Sequence, residues 1–331
     1  MSGYPHVRPR RLRSAPWVRN LVRETIVTPA DFIQPLFVVE GSGVQKAIPA
    51  LPGIDHLSID RIVEAAKAAH GLGIPAIALF PVIAPNLKTP DGKIALDKDG
   101  LVPRCVRAVK AAVPEIGVMC DVALDPYTDH GHDGLFINGD VANDATVEVL
   151  TRQALTLAEA GCDVVAPSDM MDGRIGAIRA ALEKGGFVNT LILSYAVKYA
   201  SLFYGPFRSA VGSSGALGGK GKHTYQMDVA NITEALKEVE LDVAEGADMV
   251  MVKPGMPYLD VIAAVKARVD VPVVAYQVSG EYAMLAAGAA AGAFDFLGAL
   301  RESMISFKRA GASAILTYGA LQMARELPHG R

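Results

Sequence analysis

Two lysines that follow apolar segments are the residues in this sequence best suited to act as nucleophiles. Lys198 follows the largely apolar segment 191–197, and Lys253 ends the segment Met249–Lys253. A neutral lysine amine attacks a ketone to form a Schiff base. Because a free lysine titrates near ~10.4, an amine that is neutral at physiological pH needs burial or a neighbouring cation. Each lysine would be that cation for the other, and we predict that both line one pocket.

Acidic and imidazole side chains are concentrated in the segment Cys120–Gly134. They are Asp121, Asp125, Asp129, His130, His132 and Asp133. Carboxylates with imidazole bind Mg²⁺ or another hard cation, whereas the segment lacks the set of cysteines that a thiolate zinc site needs. The alternative is an acidic loop that hydrogen-bonds its own backbone and offsets the charge of nearby lysines.

Two long segments without an apolar pattern, Ala84–Gly100 and Tyr204–Met227, interrupt the rest of the chain. The second is rich in Gly and Ser, and its polar side chains are Arg208, Lys220, Lys222, His223 and Gln226. Long loops in compact domains are usually lids or binding loops. We predict that residues 204–227 form an active-site lid, and the alternative is a surface loop with solvated charges.

Eight short apolar segments determine where these residues lie. The segments are Pro35–Val39, Ala76–Phe80, Gly117–Val122, Cys162–Ala166, Leu191–Tyr195, Met249–Val252, Pro272–Tyr276 and Ala314–Tyr318. Runs of this kind are typical of parallel strands that are buried on both faces. Amphipathic helices are predicted between them, at Ile59–Leu72, Ala145–Ala160, Thr233–Ala244 and Leu259–Arg268. Eight strands that alternate with helices favour an α/β fold, a closed (β/α)₈ TIM barrel, over an open sheet.

A (β/α)₈ barrel carries its chemistry at the carboxyl ends of its strands. Polar residues collect there in this sequence: Asp121, Ser168, Lys198, Lys253, Ser279 and Tyr318. Two lysines that meet an acidic cluster in one barrel mouth favour an active site over a set of solvated rim charges.

Composition excludes several classes of protein. Lys and Arg number 32 against 35 Asp and Glu, so bulk positive charge for nucleic-acid binding is absent. No apolar run approaches the ~20 residues of a membrane span. The three cysteines are Cys105, Cys120 and Cys162, an odd and widely spaced set that indicates a reducing, cytoplasmic location rather than a disulfide framework.

Residues 1–30 are basic and lack the apolar core of a signal peptide. Trp17, Val18, Leu21 and Val22 are apolar and have no obvious local partner. We predict that residues 1–30 are an arm that packs on a neighbouring subunit, with a mobile tail as the alternative, and that residues 31–331 form the barrel.

Five segments together resemble the porphobilinogen synthase family, also called 5-aminolevulinate dehydratase. They are VAPSDMMDGR at 165–174, SYAVKYAS at 194–201, FYGPFR at 203–208, MVKPGMPYLD at 251–260 and VSGEY at 278–282. The resemblance extends from about Arg10 to the carboxyl terminus. It implies a (β/α)₈ barrel with an extended arm, assembled as a homo-octamer with a hexamer as the other assembly. It also implies condensation of two 5-aminolevulinates to porphobilinogen, with loss of two waters, in the synthesis of tetrapyrroles such as heme, chlorophyll and cobalamin.

The resemblance also implies roles for individual residues. Lys253 and Lys198 would each form a Schiff base with one substrate molecule. Ser279 and Tyr318 would bind the carboxylate of the substrate on Lys253. The carboxylate of the other substrate would meet Arg208, Lys222 and Gln226. Asp121 and Ser168, at the ends of the third and fourth strands, are predicted to line the same substrate site.

The zinc branch of this family has three cysteines where this chain has Ala123, Asp125 and Asp133. That difference points to the Mg²⁺-dependent or metal-free branch, with no zinc and no organic cofactor. The resemblance implies an allosteric Mg²⁺ site at Glu238. Asp125 and Asp133 are second candidates, for a cation in the active site.

Two other functions remain open at this point. A Schiff-base aldolase or transaldolase-like barrel would need one lysine and a phosphate site built from backbone N–H groups. A ligand-binding barrel without activity would not need two amine nucleophiles in one pocket. The paired lysines favour the condensation over both alternatives.

Overall fold

The computed structural model describes residues 3–212 and 221–327. Eight parallel strands form a closed barrel, in which each strand pairs with the next along the chain and the last pairs with the first. The strands are β1 (Phe32–Val39), β2 (Ala76–Pro81), β3 (Gly117–Val122), β4 (Val164–Pro167), β5 (Leu191–Lys198), β6 (Met249–Lys253), β7 (Val273–Gln277) and β8 (Ala314–Thr317). The predicted TIM barrel is confirmed.

Eleven helices lie in the described residues. They are α1 (Pro16–Leu21), α2 (Ile59–Gly71), α3 (Leu101–Ala112), α4 (Asn143–Glu159), α5 (Arg174–Lys184), α6 (Gly205–Val211), α7 (Thr233–Ala244), α8 (Leu259–Lys266), α9 (Ser279–Ala290), α10 (Phe296–Ala310) and α11 (Ala320–Glu326). All except α1 in the amino-terminal segment and α6 in the lid cover the barrel and bury apolar faces against it. The four helices predicted from apolar periodicity are confirmed to within two residues at each end.

The first and fifth strands are longer than predicted. β1 begins three residues before Pro35 and includes Gln34, a polar residue that interrupts the apolar run. The Gln34 side chain is buried because its amide donates to the Pro35 carbonyl and accepts from the Leu321 backbone N–H. β5 continues past Tyr195 and ends at Lys198, so this lysine lies within the barrel wall.

A β-bulge between β5 and β6 sets the directions of the two lysines. Val250 pairs with Ser194, but Val252 pairs with Val197 and Lys253 with Lys198, so β5 contains one extra residue. Without that residue Lys253 would lie beside Val197, whose side chain points to the other face of the sheet. The bulge therefore turns both lysine side chains to the same side.

The two predicted insertions lie at the carboxyl ends of the strands. Segment 84–100 contains the 3₁₀ helices Pro85–Leu87 and Lys93–Leu96. The predicted lid, 204–227, begins with α6, and residues 213–220, which include Lys220, lie outside the described residues. Short antiparallel strands complete this face, Gln45–Ala47 with Asp55–Ser58 and Phe136–Ile137 with Asp140–Val141.

The amino-terminal segment extends away from the barrel. It contains the 3₁₀ helix Pro9–Arg13 and α1, and Trp17 and Leu21 are 69% and 75% exposed. In the part of the chain that the structure describes, no helix is both long and apolar enough to cross a membrane.

Candidate active site

Lys253 lies at the end of β6 and is buried, with 7% of its surface exposed. Its Nζ atom lies 4.9–5.4 Å from the centres of four aromatic rings, those of Tyr195, Tyr204, Phe207 and Tyr276. The amine is thus enclosed by a wall of rings with little access to water.

The pKa of Lys253 is lowered to about 7, first by burial and then by the charge of Lys198, against the opposing Asp121 carboxylate. The aromatic faces favour the ammonium form, but such contacts contribute only ~0.5–2 kcal/mol. Burial of a charged amine costs more than this, so the lowered pKa is the direction that the geometry supports. A large neutral fraction near neutral pH gives Lys253 the property that a Schiff-base nucleophile needs.

Lys198 lies beside Lys253 at the end of β5 and is also buried. Its Nζ donates to the Ser168 carbonyl and lies 3.3 Å from Asp133 Oδ2. The structure thus brings together Lys198, Ser168 and Asp133, from three segments that the sequence separates. Lys198 therefore has a carboxylate partner, whereas Lys253 is enclosed by aromatic rings, so the two lysines have different surroundings.

Lys222 approaches the same carboxylates from the lid. Its Nζ lies 2.9 Å from Asp133 Oδ1 and 3.4 Å from Asp125 Oδ2. Burial lowers the pKa of Lys222, but the Asp125 and Asp133 carboxylates outweigh it, and the pKa is raised. Gln226 Nε2 lies 3.5 Å from Asp133 Oδ2. The lid side chains Lys222 and Gln226 therefore meet the acidic segment as a buried charged cluster.

Asp121 lies half-buried at the end of β3, and its Oδ1 atom is shielded from water and has no hydrogen-bond partner in the described structure. Burial, and then the Asp125 charge, raise its pKa to about 7, against the opposing charges of Lys253 and Lys198. An unpaired buried carboxyl oxygen is costly unless a ligand or a proton satisfies it. Asp121 is therefore suited to accept a hydrogen bond from a bound amine or to exchange a proton near neutral pH.

The hydroxyls predicted to bind the first carboxylate lie on the Lys253 side of the site. Tyr318 Oη is 3.1 Å from Tyr276 Oη, and the Tyr276 ring faces Lys253. Ser279 Oγ accepts from the Phe207 N–H at 2.9 Å and donates to the Phe203 carbonyl at 3.3 Å. Ser279 therefore holds the start of the lid helix in this structure.

Arg208 lies on the lid helix α6, with its guanidinium 5.9 Å from the centre of the Tyr204 ring. Its charge is close enough to Lys222 to oppose the raised pKa of that lysine. Of the predicted partners of the second carboxylate, Lys222 and Gln226 share the Asp133 carboxylate, and the charge of Arg208 acts on Lys222.

The predicted active-site cation does not fit the arrangement of Asp125 and Asp133. Both carboxylates already face lysine ammonium groups, Lys222 and, for Asp133, Lys198 as well. Within 3–212 and 221–327, no group of three His, Cys, Asp or Glu side chains is arranged to hold a metal ion. Of the remaining members of the acidic segment, His132 contacts the Tyr225 hydroxyl and His130 the Pro90 carbonyl.

Glu238 lies outside the barrel mouth, on α7. It lines a cavity of about 300 Å³ whose walls also include Glu234 and Asp172. Burial, and then the charges of Asp242 and Asp172, raise the pKa of Glu238. Mg²⁺ keeps most of its waters and binds through one or two carboxylates, so a hydrated ion at this acidic cavity fits the residues present.

Two contributors to the site were not predicted from the sequence. Glu281 is buried, and its carboxylate accepts from the backbone N–H groups of Val278, Gly255 and Met256, so it ties the loop after Lys253 to the loop before Ser279. The sequence signal for this role was the position of Glu281, three residues after Val278, where a carboxylate caps the start of a helix. The buried Arg174 is the second, since it pairs with Asp242 and lies 3.7 Å from Asp169, beside Ser168.

A family model described as delta-aminolevulinic acid dehydratase matches residues 6–326. The chain belongs to the delta-aminolevulinic acid dehydratase family. It is 56% identical to the Bradyrhizobium diazoefficiens member over 97% of this chain and 91% of the relative, and 51% identical to the Synechococcus elongatus member over 98% and 99%. A solved Toxoplasma gondii ME49 structure, described as delta-aminolevulinic acid dehydratase (porphobilinogen synthase) in complex with the reaction product porphobilinogen, superposes with a TM-score of 0.95. It is 48% identical, and the match covers 97% of this chain and 91% of that one.

Proposed function

We propose that this chain condenses two molecules of 5-aminolevulinate to porphobilinogen with loss of two waters, an early step of tetrapyrrole biosynthesis. The observation that carries this proposal is the in-register pair of buried lysines, Lys253 and Lys198, at the ends of adjacent barrel strands. A reaction that joins two ketone substrates has a use for two amines in one site, whereas an aldolase needs one. Family membership supports the same reaction.

The proposed first role of Lys253 is nucleophilic. Its neutral amine adds to the substrate ketone, a C–N bond forms, and the resulting carbinolamine loses water to leave a protonated imine. The pKa of about 7, caused by burial and by Lys198, supplies the neutral amine that the addition requires. We assign the same chemistry to Lys198 on the second substrate, with the Ser168 carbonyl and Asp133 orienting its Nζ.

The two substrate carboxylates have separate partners in this proposal. Arg208, Lys222 and Gln226 offer charged or amide donors on the lid side, and a guanidinium pairs with a carboxylate in a bidentate manner. Ser279 and Tyr318 offer neutral hydroxyl donors on the Lys253 side. Asp121, which faces both lysines, is the proposed acceptor for a substrate amino group.

We further propose that the enzyme belongs to the branch without zinc. Aspartates stand at two of the three thiolate positions, and their partners are the ammonium groups of Lys222 and Lys198. Soft thiolate ligands select zinc, and carboxylates select hard cations. Mg²⁺ would be held through waters at Glu238, where it would neutralise the charge of an acidic cavity.

The proposed assembly is a homo-octamer, with a hexamer as the alternative, in which residues 1–30 pack on a second copy of the chain. The exposed apolar side chains of the arm, such as Trp17 and Leu21, support a protein partner. A cytoplasmic location is supported by Cys105, Cys120 and Cys162, which are buried free thiols as expected for a reducing compartment.

Borohydride reduction with 5-aminolevulinate tests the proposed function. Wild-type protein should form porphobilinogen, and reduction should leave one substrate molecule, less the oxygen lost as water, attached to Lys253 as a secondary amine, located by peptide mass spectrometry. Lys253→Met, which keeps a similar volume, should fold with an unchanged or higher melting temperature, because it removes a buried charge, and should lose at least about 100-fold in turnover, the range assigned to a positioned catalytic group. Activity of the variant within tenfold of wild type would refute the role of Lys253. Absence of any lysine adduct in the wild type would refute the Schiff-base enzyme altogether.

A further inference from the structure

The carboxyl-terminal end of the lid helix α6 is held by two side chains from outside the lid. His56 Nε2 donates to the Ala210 carbonyl at 2.8 Å. Lys88 Nζ lies 3.4 Å from the Val211 carbonyl oxygen and 3.3 Å from that of Gly212. Neither residue belongs to the set that the proposed function uses, and their contacts with the lid cross 154 and 123 residues of sequence.

A helix as short as α6 needs such partners. It has seven residues, and the last four carbonyls of any α-helix have no N–H donor within the helix. A helix of this length is not stable by itself in water. Donors and cations at the carboxyl terminus satisfy the free carbonyls and interact favourably with the helix dipole. Lys88 and His56 both donate hydrogen bonds to the free carbonyls, and the charge of Lys88 interacts favourably with the helix dipole.

The two donors are fixed by the barrel. His56 lies on the short strand Asp55–Ser58, where it pairs with Phe37 of β1, and its ring packs edge-on against the Phe37 ring at 6.1 Å. Lys88 directly follows the 3₁₀ helix Pro85–Leu87, in the insertion after β2. Contacts with the segments beside β1 and after β2 therefore fix the position of α6. These strands lie on the opposite side of the barrel from β5, the strand that precedes α6 in the chain.

The other end of α6 is held as well. The Phe207 N–H donates to Ser279 Oγ at 2.9 Å, so the helix is fixed at its first turn by α9 and at its last turn by Lys88 and His56. Arg208 is the residue after Phe207. The direction in which the Arg208 guanidinium points therefore depends on the position of α6.

We propose that Lys88 and His56 are positioning residues that set α6, and through it Arg208, over the substrate site. The inference rests on the proposed function, because it gives Arg208 the substrate carboxylate as its partner. Lys88 is half-buried, and the charge of Asp125 favours its ammonium form. Burial outweighs that carboxylate and lowers the pKa of Lys88, so its ammonium depends on the carbonyls of residues 211 and 212 for hydrogen bonds.

The test is a double-mutant cycle between Lys88→Met and Arg208→Leu, read as KM and kcat for porphobilinogen formation from 5-aminolevulinate. Lys88→Met alone should raise KM about three- to thirtyfold, the range for a partly buried cation at a helix terminus, with a smaller change in kcat. In the Arg208→Leu background the same substitution should change KM less than about twofold, because residues that act through one another are not additive. Lys88→Arg should restore most of the wild-type KM, since a guanidinium also donates to both carbonyls.

Controls separate this role from general stability. Lys93→Met removes an exposed lysine from the same insertion and should leave both constants unchanged. Amide hydrogen exchange should speed up in residues 208–212 of Lys88→Met and stay unchanged in β1 and β2. If Lys88→Met does not fold, His56→Leu replaces it in the same cycle with the same expectations.

Three results would overturn the inference. The first is wild-type KM in both Lys88→Met and His56→Leu. The second is an equal loss in the wild-type and Arg208→Leu backgrounds, which would mean that Lys88 acts independently of Arg208. The third, a wild-type protein that forms no porphobilinogen, would overturn the proposed function together with this inference, whereas the first two leave the proposed function intact.

Discussion

Lys253 and Lys198 are paired at the ends of adjacent strands, and the charge of Lys198 lowers the pKa of Lys253. Lys198 has the Asp133 carboxylate 3.3 Å away, whereas Lys253 is surrounded by aromatic rings and has the Lys198 charge beside it. The second-largest cause of the lowered pKa of Lys253, after burial, is therefore a single removable charge.

Removal of that charge should raise the pKa of Lys253. In Lys198→Met the neutral fraction of Lys253 at pH 7 should fall, by about fivefold if its pKa rises by one unit. Because only the neutral amine attacks, the pH midpoint for borohydride trapping of substrate at Lys253 should move upward. The measurement is adduct yield at Lys253 from pH 5 to 10, by mass spectrometry. Lys184→Met, at an exposed position on α5, is the control, and an unchanged or lower midpoint in Lys198→Met would contradict the prediction.

Arg208 and Ser279 should contribute unequally to substrate binding. Arg208→Leu removes a charge-assisted contact worth ~1.5–3 kcal/mol, a factor of ~10–150 in kcat/KM, whereas Ser279→Ala removes a neutral hydroxyl worth ~1 kcal/mol. Ser279 also accepts from the Phe207 N–H, so its loss frees a lid contact as well. Steady-state kinetics of both variants measures the ranking. A Ser279→Ala loss far larger than that of Arg208→Leu would show that lid anchorage, and not the carboxylate contact, dominates.

At the level of strands and helices, the apolar pattern was sufficient to predict the barrel but not the register between β5 and β6. The eight apolar runs predict eight buried strands because parallel barrel strands are covered on both faces. The extra residue in β5 leaves no mark on that pattern, since Ala196 and Val197 are both apolar. The pairing of Lys253 with Lys198 depends on this bulge, so the sequence supports only their common location at the strand ends.

The contacts of the lid were beyond prediction for a different reason. Lys222 meets Asp133 across 89 residues of sequence, and Lys88 meets Val211 across 123. Polar loop residues carry no periodic signal, so their partners are defined only after the barrel has brought the strand ends together. The resemblance implied a shared role for Arg208, Lys222 and Gln226, but it implied none for Lys88, His56 or Glu281.

Close packing between α9 and the start of the lid yields a prediction about Gly280. A Cβ atom at this position would lie 2.5 Å from the Phe203 carbonyl oxygen and 2.8 Å from the Phe203 Cα, so backbone must move. Gly280→Ala should lower stability by about 1–3 kcal/mol and weaken the Ser279 contacts with Phe203 and Phe207. Gly205→Ala, in the same region with open space around the added carbon, is the matched control. Thermal unfolding and kcat/KM measure both effects, and equal behaviour of the two variants would contradict the prediction.

At the level of the whole molecule, two features bear on the proposed assembly from copies of the chain. The arm exposes Trp17, Leu21 and Ile26, which a lone barrel leaves without cover. Glu238 lies on the outer helix α7, in an acidic cavity that includes Glu234 and Asp172. Carboxylates crowded in this way repel one another. This repulsion is the second cause of the raised pKa of Glu238, after burial. A divalent cation would relieve the repulsion.

Mg²⁺ should therefore stimulate the enzyme through Glu238 and through assembly. An ion shifts an equilibrium between oligomers only by its difference in affinity for them, so stimulation should be saturable and modest, about five- to tenfold at most, near the lower end of typical allosteric couplings. Size-exclusion chromatography and activity assays, with and without Mg²⁺, should show that the fraction of the larger assembly and the activity rise together.

Glu238→Gln, which keeps the shape and loses the charge, should abolish both responses. Glu240→Gln, on the same helix and paired with Arg268 at the surface, should keep them. A normal Mg²⁺ response in Glu238→Gln would rule out this site, and activity that 1,10-phenanthroline abolishes and Zn²⁺ alone restores would place the enzyme in the zinc branch.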